Sequence, residues 1–200
     1  MRAKPFFSVL MTLLLSTTLA WAEARTYQVD SAHSSVAFTV THLQLSEVEG
    51  RFDDFDGKIV WDDANPANSK IEWTVKATSV NTGAAKRDEH LRSKDFFDVA
   101  TYPELSFKST SVRKLSGSKY EVKGDMTIHG VTKSISVPVE IKGPIDAFGD
   151  GKMSIGFKSS FKLNRIEYKV GDGWKGGSDK LVSHDVFVTI RGEAHQPDGK

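Results

Sequence analysis

The sequence predicts an all-β fold of about eight antiparallel strands closed into a barrel, and three observations carry that expectation. Apolar and polar side chains alternate with a two-residue period from residue 27 to residue 190, the mark of half-buried strands. Several alternating runs are long, about nine residues or more and about 30 Å at the usual rise, which exceeds an ordinary strand. Only one segment, around 84–92, joins good helix formers with an absence of β-branched residues. A two-sheet sandwich gives the same inward alternation and stays open on pattern alone, but long strands with a single apolar face favour the barrel.

The chain begins with Arg2 and Lys4, an apolar run over residues 6–15 broken only by Ser8 and Thr12, and Ala20-Trp21-Ala22 ahead of Glu23. This is the pattern of a cleavable secretory signal peptide spanning 1–22. The apolar run is shorter than the roughly 20 residues a bilayer core demands, so a membrane-spanning anchor is not expected. No cysteine occurs anywhere, which removes both disulfides and a lipoprotein anchor. The remainder, 23–200, suits one domain stabilised by burial. Removal of 1–22 takes two of the 27 basic residues and none of the 26 acidic ones. A near-neutral balance offers no concentrated basic patch for nucleic acid or an anionic surface.

The strands follow in order. A short one is expected over 27–29, then Val36, Phe38 and Val40 share one face against Ser35, Ala37, Thr39 and Thr41. A less regular strand covers 52–61, and Ile71, Trp73 and Val75 alternate with Lys70, Glu72, Thr74 and Lys76. The helical segment carries a single bulky apolar residue, Leu91, so it is read as short and mostly solvated. Pro103 resets the chain before a strand over 105–112. Tyr120, Val122, Met126 and Ile128 form the next stripe, a turn falls at His129-Gly130, and Ile135, Val137, Val139 and Ile141 continue beyond it. Met153, Ile155, Phe157, Phe161 and Leu163 form another stripe, and Val182, Val186, Val188 and Ile190 the last.

The motifs that suggest chemistry are mostly incomplete. Gly171, Gly173 and Gly176 have dinucleotide-fingerprint spacing, but no helix follows, so 171–177 reads as a mobile loop. Asp53, Asp54, Asp56 and Gly57 resemble a calcium loop until Lys58 occupies a ligand position, which leaves a solvated acidic turn. The six histidines show no compact ligand spacing, and no Gly-x-Ser-x-Gly nucleophile motif is present. His42 and His184 share parity with apolar stripes and are expected to point inward. The densest group of reactive side chains is Arg87, Asp88, His90, Arg92 and Asp95, which fits either a head-group clamp or a charged helix face.

An ordered series of segments resembles the YceI-like family. It runs from Asp30-Ser31-Ala32-His33-Ser34 through Phe38-x-Val40-x-His42-Leu43, Gly50-x-Phe52, Phe55-Asp56-Gly57 and Ser79-Val80-Asn81-Thr82. Arg87-Asp88-x-His90-Leu91-Arg92-Ser93-x-Asp95-Phe96-Phe97-Asp98, Tyr102-Pro103, Phe107-x-Ser109-Thr110 and the segment from Gly124 to Lys133 extend it across nearly all of the exported chain. The resemblance implies a lipocalin-like antiparallel barrel that binds polyisoprenoid or related long-chain lipids, usually periplasmic and often a homodimer, with no cofactor. At 164–168 the sequence departs from the family pattern and only Arg165 and Tyr168 carry over. That departure bears on the shape of one barrel mouth.

On this reading Val36, Phe38, Val40, Trp73, Val75, Phe107, Met126, Ile128, Phe157 and Phe161 face a barrel interior that holds an apolar chain. His42, Arg87, Asp88, His90 and Arg92 are the candidates for contacts to a polar head. The function expected is a non-catalytic carrier with no metal. Two alternatives stay open: an enzyme using His42, His90 or Asp88 on a lipid-like substrate, and a solid, ligand-free barrel with a stress-response or interaction role.

Overall fold

Eleven strand segments of the computed structural model close into a ring of eight. It describes residues 24–174 and 178–198, so the expected signal peptide and residues 175–177 lie outside the described residues. The segments are β1 (Arg25–Val29), β2 (Ser35–His42), β3 (Ser46–Phe52), β4 (Phe55–Trp61), β5 (Lys70–Lys76) and β6 (Val80–Asn81). After helix α1 (Ala85–Arg92) come β7 (Glu104–Ser116), β8 (Lys119–Ile128), β9 (Val131–Ile145), β10 (Ser154–Asn164) and β11 (Val182–His195).

The registers explain the difference between eleven and eight. β1 and β2 pair with β4 and β3 as one interrupted hairpin, from Arg25 opposite Trp61 to His42 opposite Ser46. β4 and β3 then pair with β5 and β6 in the same way. Every remaining neighbour is antiparallel, and β11 closes the ring on β1 through Gln28 opposite His195 and Val29 opposite Ala194. The barrel expectation therefore holds and the sandwich does not.

β3 was not legible as a strand. Its inward positions are Val48, Gly50 and Phe52, and the missing side chain at Gly50 interrupts the alternation. The structure supplies the missing surface from the neighbouring strand, because a Cβ on Gly50 would lie 2.3 Å from Cζ of Phe38. The strand expected over 52–61 breaks at Asp53-Asp54, where Asp53 accepts hydrogen bonds from Arg51 Nε (2.6 Å) and Asn81 Nδ2 (2.7 Å). The turn at His129-Gly130 joins Ile128 to its partner Val131, and both turn residues take positive φ, 50° and 71°, as a two-residue hairpin of the right twist requires.

The ends of the barrel differ. At one end Trp61 of β4 and Tyr120 of β8 reach from opposite walls and meet edge to face, centroids 4.7 Å apart, and with the fully buried Tyr27 and Ile155 they seal the floor. At the other end lie α1, the segment 93–103, the β8–β9 turn, the β2–β3 turn and the short 3-10 helix Arg165–Tyr168. Helix α1 is largely solvated as expected, with Asp88 its one buried residue.

Candidate functional site

Above the sealed floor the inward side chains leave space. An inner cavity of about 120 Å³ is enclosed by residues that include Val36, Phe38, Trp73, Val75, Phe107, Met126, Ile128, Phe157 and Phe161. Ser106, Lys158 and Ser159 are the polar residues on its boundary. Trp73 on β5 and Phe157 on β10 touch across the lumen, centroids 5.6 Å apart at 74°, and narrow it. Leaving such a void unfilled forfeits roughly 3 kcal/mol of packing at about 24 cal/mol per Å³.

Three glycines help to keep the lumen open. Phe38 lies over Gly50, Trp73 over Gly57 and Phe107 over Gly124, with ring atoms 2.3 to 3.1 Å from where a Cβ would stand. Each glycine thereby makes room for the ring beside it; Phe38 and Phe107 lie along the wall, and Trp73 still reaches Phe157 across the lumen.

A second cavity of about 420 Å³ continues toward the open end and lies in the range of small-molecule sites, about 300–1,000 Å³. Phe38, Phe52, Leu105, Ile128, Leu163 and Val188 border both cavities, so the two form one passage with a waist. Val40 and His42 line its outer part. All ten residues expected to face the interior border one or both cavities.

The charged residues lining the outer cavity are all basic. They are Lys86, Arg87 and Arg165, joined by the titratable His42 and His90, and no carboxylate lines it among the described residues. Arg87 is exposed and is aimed by Thr82, which accepts from Nε at its hydroxyl (2.7 Å) and from Nη2 at its carbonyl (2.8 Å). Thr82 is held in turn by Asp88, whose Oδ1 accepts from the Thr82 amide at 2.8 Å and its hydroxyl at 2.5 Å. His90 pairs with Asp95 at 2.8 Å and packs edge to face on Phe96 and Trp174.

Arg165 is buried, and its three nitrogens donate to the carbonyls of Ser183, Val170 and Val182 at 2.8 to 3.0 Å. Burial lowers its pKa from the usual value, with Asp179 and Asp172 acting against that. Its fork is spent on the loop that shapes the mouth.

The five expected head-group residues therefore divide. His42, Arg87 and His90 line the outer cavity, whereas Asp88 and Arg92 do not. Asp88 is buried under Thr82, and Arg92 donates to the carbonyls of Thr78 and Val80 at 2.7 and 2.8 Å, tying α1 to the wall. These two are structural because each faces unpaired backbone groups of the 78–82 segment. His184, expected inward, sits in a stretch where the β2–β11 register shifts, 3.8 Å from Asp179, and it borders neither cavity.

Sequence reasoning missed Trp174, Phe96, Phe97, Val170 and Lys86, all of which line the outer cavity. Trp174 carried a signal, as a lone large aromatic inside a glycine-rich stretch. The loop reading of 171–177 also needs correction at its first residue. Gly171 is buried with φ 74°, and a Cβ there would stand 2.6 Å from Arg165 Nη1 and 2.9 Å from the Phe96 ring, so close packing fixes it. Gly176 and Gly177 lie outside the described residues.

Comparison with known proteins follows this geometry. A model of the YceI-like domain matches residues 27–194. The UPF0312 protein plu2095 of Photorhabdus laumondii subsp. laumondii is 38% identical over 181 residues, covering 90% of this chain and 91% of that protein. The crystal structure of the Campylobacter jejuni YCEI protein is similar at a TM-score of 0.71 and 35% identity, over 79% of this chain and 90% of that one. A polyisoprenoid binding domain from Saccharophagus degradans, implicated in plant cell wall breakdown, shares the fold at a TM-score of 0.64 and 18% identity, over 88% of this chain and 100% of that one.

Proposed function

The chain belongs to the YceI-like family, and from that premise we propose that it is a periplasmic carrier that holds one isoprenoid or other long-chain lipid inside its barrel. The observation that carries the reading is the passage, lined mainly by apolar side chains from the floor to the waist, with Lys86, Arg87 and Arg165 bordering its outer part. The hydrocarbon lies along Val36, Phe38, Trp73, Val75, Phe107, Met126, Ile128, Phe157 and Phe161, with Val40 beyond the waist. The head sits outermost, beside His42, Lys86, Arg87 and His90. Each methylene buried contributes about 0.8 kcal/mol, so a few prenyl units suffice for tight binding after ordering costs. A fold neighbour described as a polyisoprenoid binding domain agrees with this ligand class. The exported location rests on the signal-peptide pattern of 1–22.

A binding role accounts for the site better than catalysis does. His90 is oriented by Asp95, as a general base would be, but the described hydrogen bonds join neither side chain to a serine, threonine or tyrosine hydroxyl, and Ser93 meets only their backbone groups. Asp88 Oδ1 is engaged by the Thr82 amide and hydroxyl. A solid barrel is disfavoured by the cavities themselves.

The test is mass spectrometry of an organic extract of protein purified without added lipid, together with thermal unfolding after incubation with a long-chain polyprenol. The expected result is a lipid present at close to one per chain, or a rise in melting temperature on adding the polyprenol. Absence of both extracted lipid and stabilisation would overturn the proposal.

A further inference from the structure

Beside the mouth the β2–β3 turn presents two leucines to solvent. Leu45 is 85% exposed and Leu43 45%, and Leu181, 38% exposed, adjoins them through a hydrogen bond from the Leu43 amide to its carbonyl at 2.9 Å. The turn holds them at a conformational cost. Leu43 and Gln44 take φ 55° and 58°, a backbone region that asparagine and glycine fill readily and leucine does not. A water-facing turn gains nothing from leucine there, and strained residues of this kind mark sites with a task.

The surroundings indicate what these leucines meet. His42, which immediately precedes the turn, and Val182, which follows Leu181, both line the outer cavity, so the leucines flank the opening through which a guest must pass. Lys86 and Arg87 border the same opening, and the exposed Lys180 directly precedes Leu181. Of the nearby acids, Asp179 accepts from the His184 amide at 2.7 Å, while Glu47 stands exposed on β3. Apolar side chains beside cations at a lipid-sized mouth match an interface of acyl chains under anionic head groups.

We propose that the β2–β3 turn, with Leu181, is a membrane-docking tip that seats the mouth of the barrel on an anionic bilayer, so that the guest passes between membrane and chamber without crossing water. The choice of a bilayer over a protein partner rests on the chamber's guest being a lipid. Shallow insertion of Leu43 and Leu45 supplies the apolar contact, and Lys86, Arg87 and Lys180 meet the lipid phosphates.

Flotation with vesicles of phosphatidylethanolamine and phosphatidylglycerol tests this, using the signal-free chain and no added polyprenyl lipid. The wild type is expected to float with the vesicles, and Leu43→Ser/Leu45→Ser to lose at least fivefold of the bound fraction. The single variant Leu45→Ser, at the most exposed of the three leucines, serves if the double variant fails to fold and should show the same direction. Phe148→Ser, which removes an aromatic 72% exposed on the loop after β9 at the sealed end, should float like the wild type. Absence of wild-type flotation, or equal loss in Phe148→Ser, overturns the proposal. So does a wild-type dimer that becomes a monomer in Leu43→Ser/Leu45→Ser, because the leucines would then pack on a second copy. Polyprenol delivered from cyclodextrin should still bind the double variant, which separates failure of docking from failure of the chamber.

Discussion

Phe38 shows how much a single position sets. Its outward neighbours made it legible as an inward residue, yet its role depends on Gly50, a residue that strand patterning treats as a gap. Replacing Gly50 with alanine would place a methyl within 2.3 Å of the ring and drive Phe38 into the waist shared by the two cavities. Gly50→Ala is expected to cost about 1–3 kcal/mol in urea unfolding and to reduce the lipid recovered per chain. A second residue-scale expectation concerns the seam. His33 Nδ1 lies 2.6 Å from Asp30 Oδ2, with His195 3.7 Å from the same oxygen, beside the strand pairs that close the ring. The hydrogen bond to Asp30 raises the His33 pKa above the ordinary 6.5, helped by the Asp30 charge and, more weakly, by Glu193. The His33 bond, followed by the Ala32 amide, holds Asp30 below 3.8. His33 thus favours the folded state fully below pH 6.5 and loses that contribution as pH rises through its elevated value. Asp30 contributes above 3.8 and loses its share as pH falls through its lowered value. His33→Gln should therefore lower the melting temperature at about pH 5.5 and leave it nearly unchanged at about pH 8.5. His33 is exposed and Asp30 partly so, so the shift is small.

At the level of elements, alternation revealed the strands with at least four apolar inward side chains, such as β10 and β8, where Tyr120, Val122, Met126 and Ile128 carry the period past Gly124. It failed in β3, where Gly50 leaves only Val48 and Phe52 on the inward side, and where a strand is cut by a turn, as between β3 and β4. Helix α1 was legible from its composition, but the division of labour along it was not. Asp88 and Arg92 secure the helix to the segment before it while Arg87 and His90 face the passage, and nothing in the local charge pattern separates these pairs. The relay from Asp88 through Thr82 to Arg87 leads to a prediction. Asp88→Ala leaves the partly buried Thr82 amide without its acceptor, at a cost of about 1–2 kcal/mol in chemical denaturation. It also frees Arg87, so affinity for a prenyl phosphate should fall more than affinity for the corresponding alcohol, measured by displacement of a fluorescent fatty acid.

For the whole molecule, the fold class and the apolar lining were readable because both follow from parity along each strand. The two-part passage was not. Its volume depends on how rings from opposite walls meet, as Trp73 and Phe157 do, and on residues such as Trp174 and Val170 that arrive from loops without periodicity. The way the ring closes also escaped a strand-by-strand reading. The chain crosses from β1 to β2 over Gly192, where a Cβ would stand 1.9 Å from Ser34 Oγ, and β11 binds both halves of that first strand.

That closure governs how cargo leaves. Around the inner chamber the strands are bonded on both sides, so a tail seated there cannot leave sideways without breaking a ladder of backbone hydrogen bonds; the ladder thins only toward the mouth, where β6 pairs with β3 alone. A guest seated as proposed must depart along the axis, polar end leading and oily tail last. Whatever receives it meets the head group first and must draw the rest out behind it like a thread from a sheath.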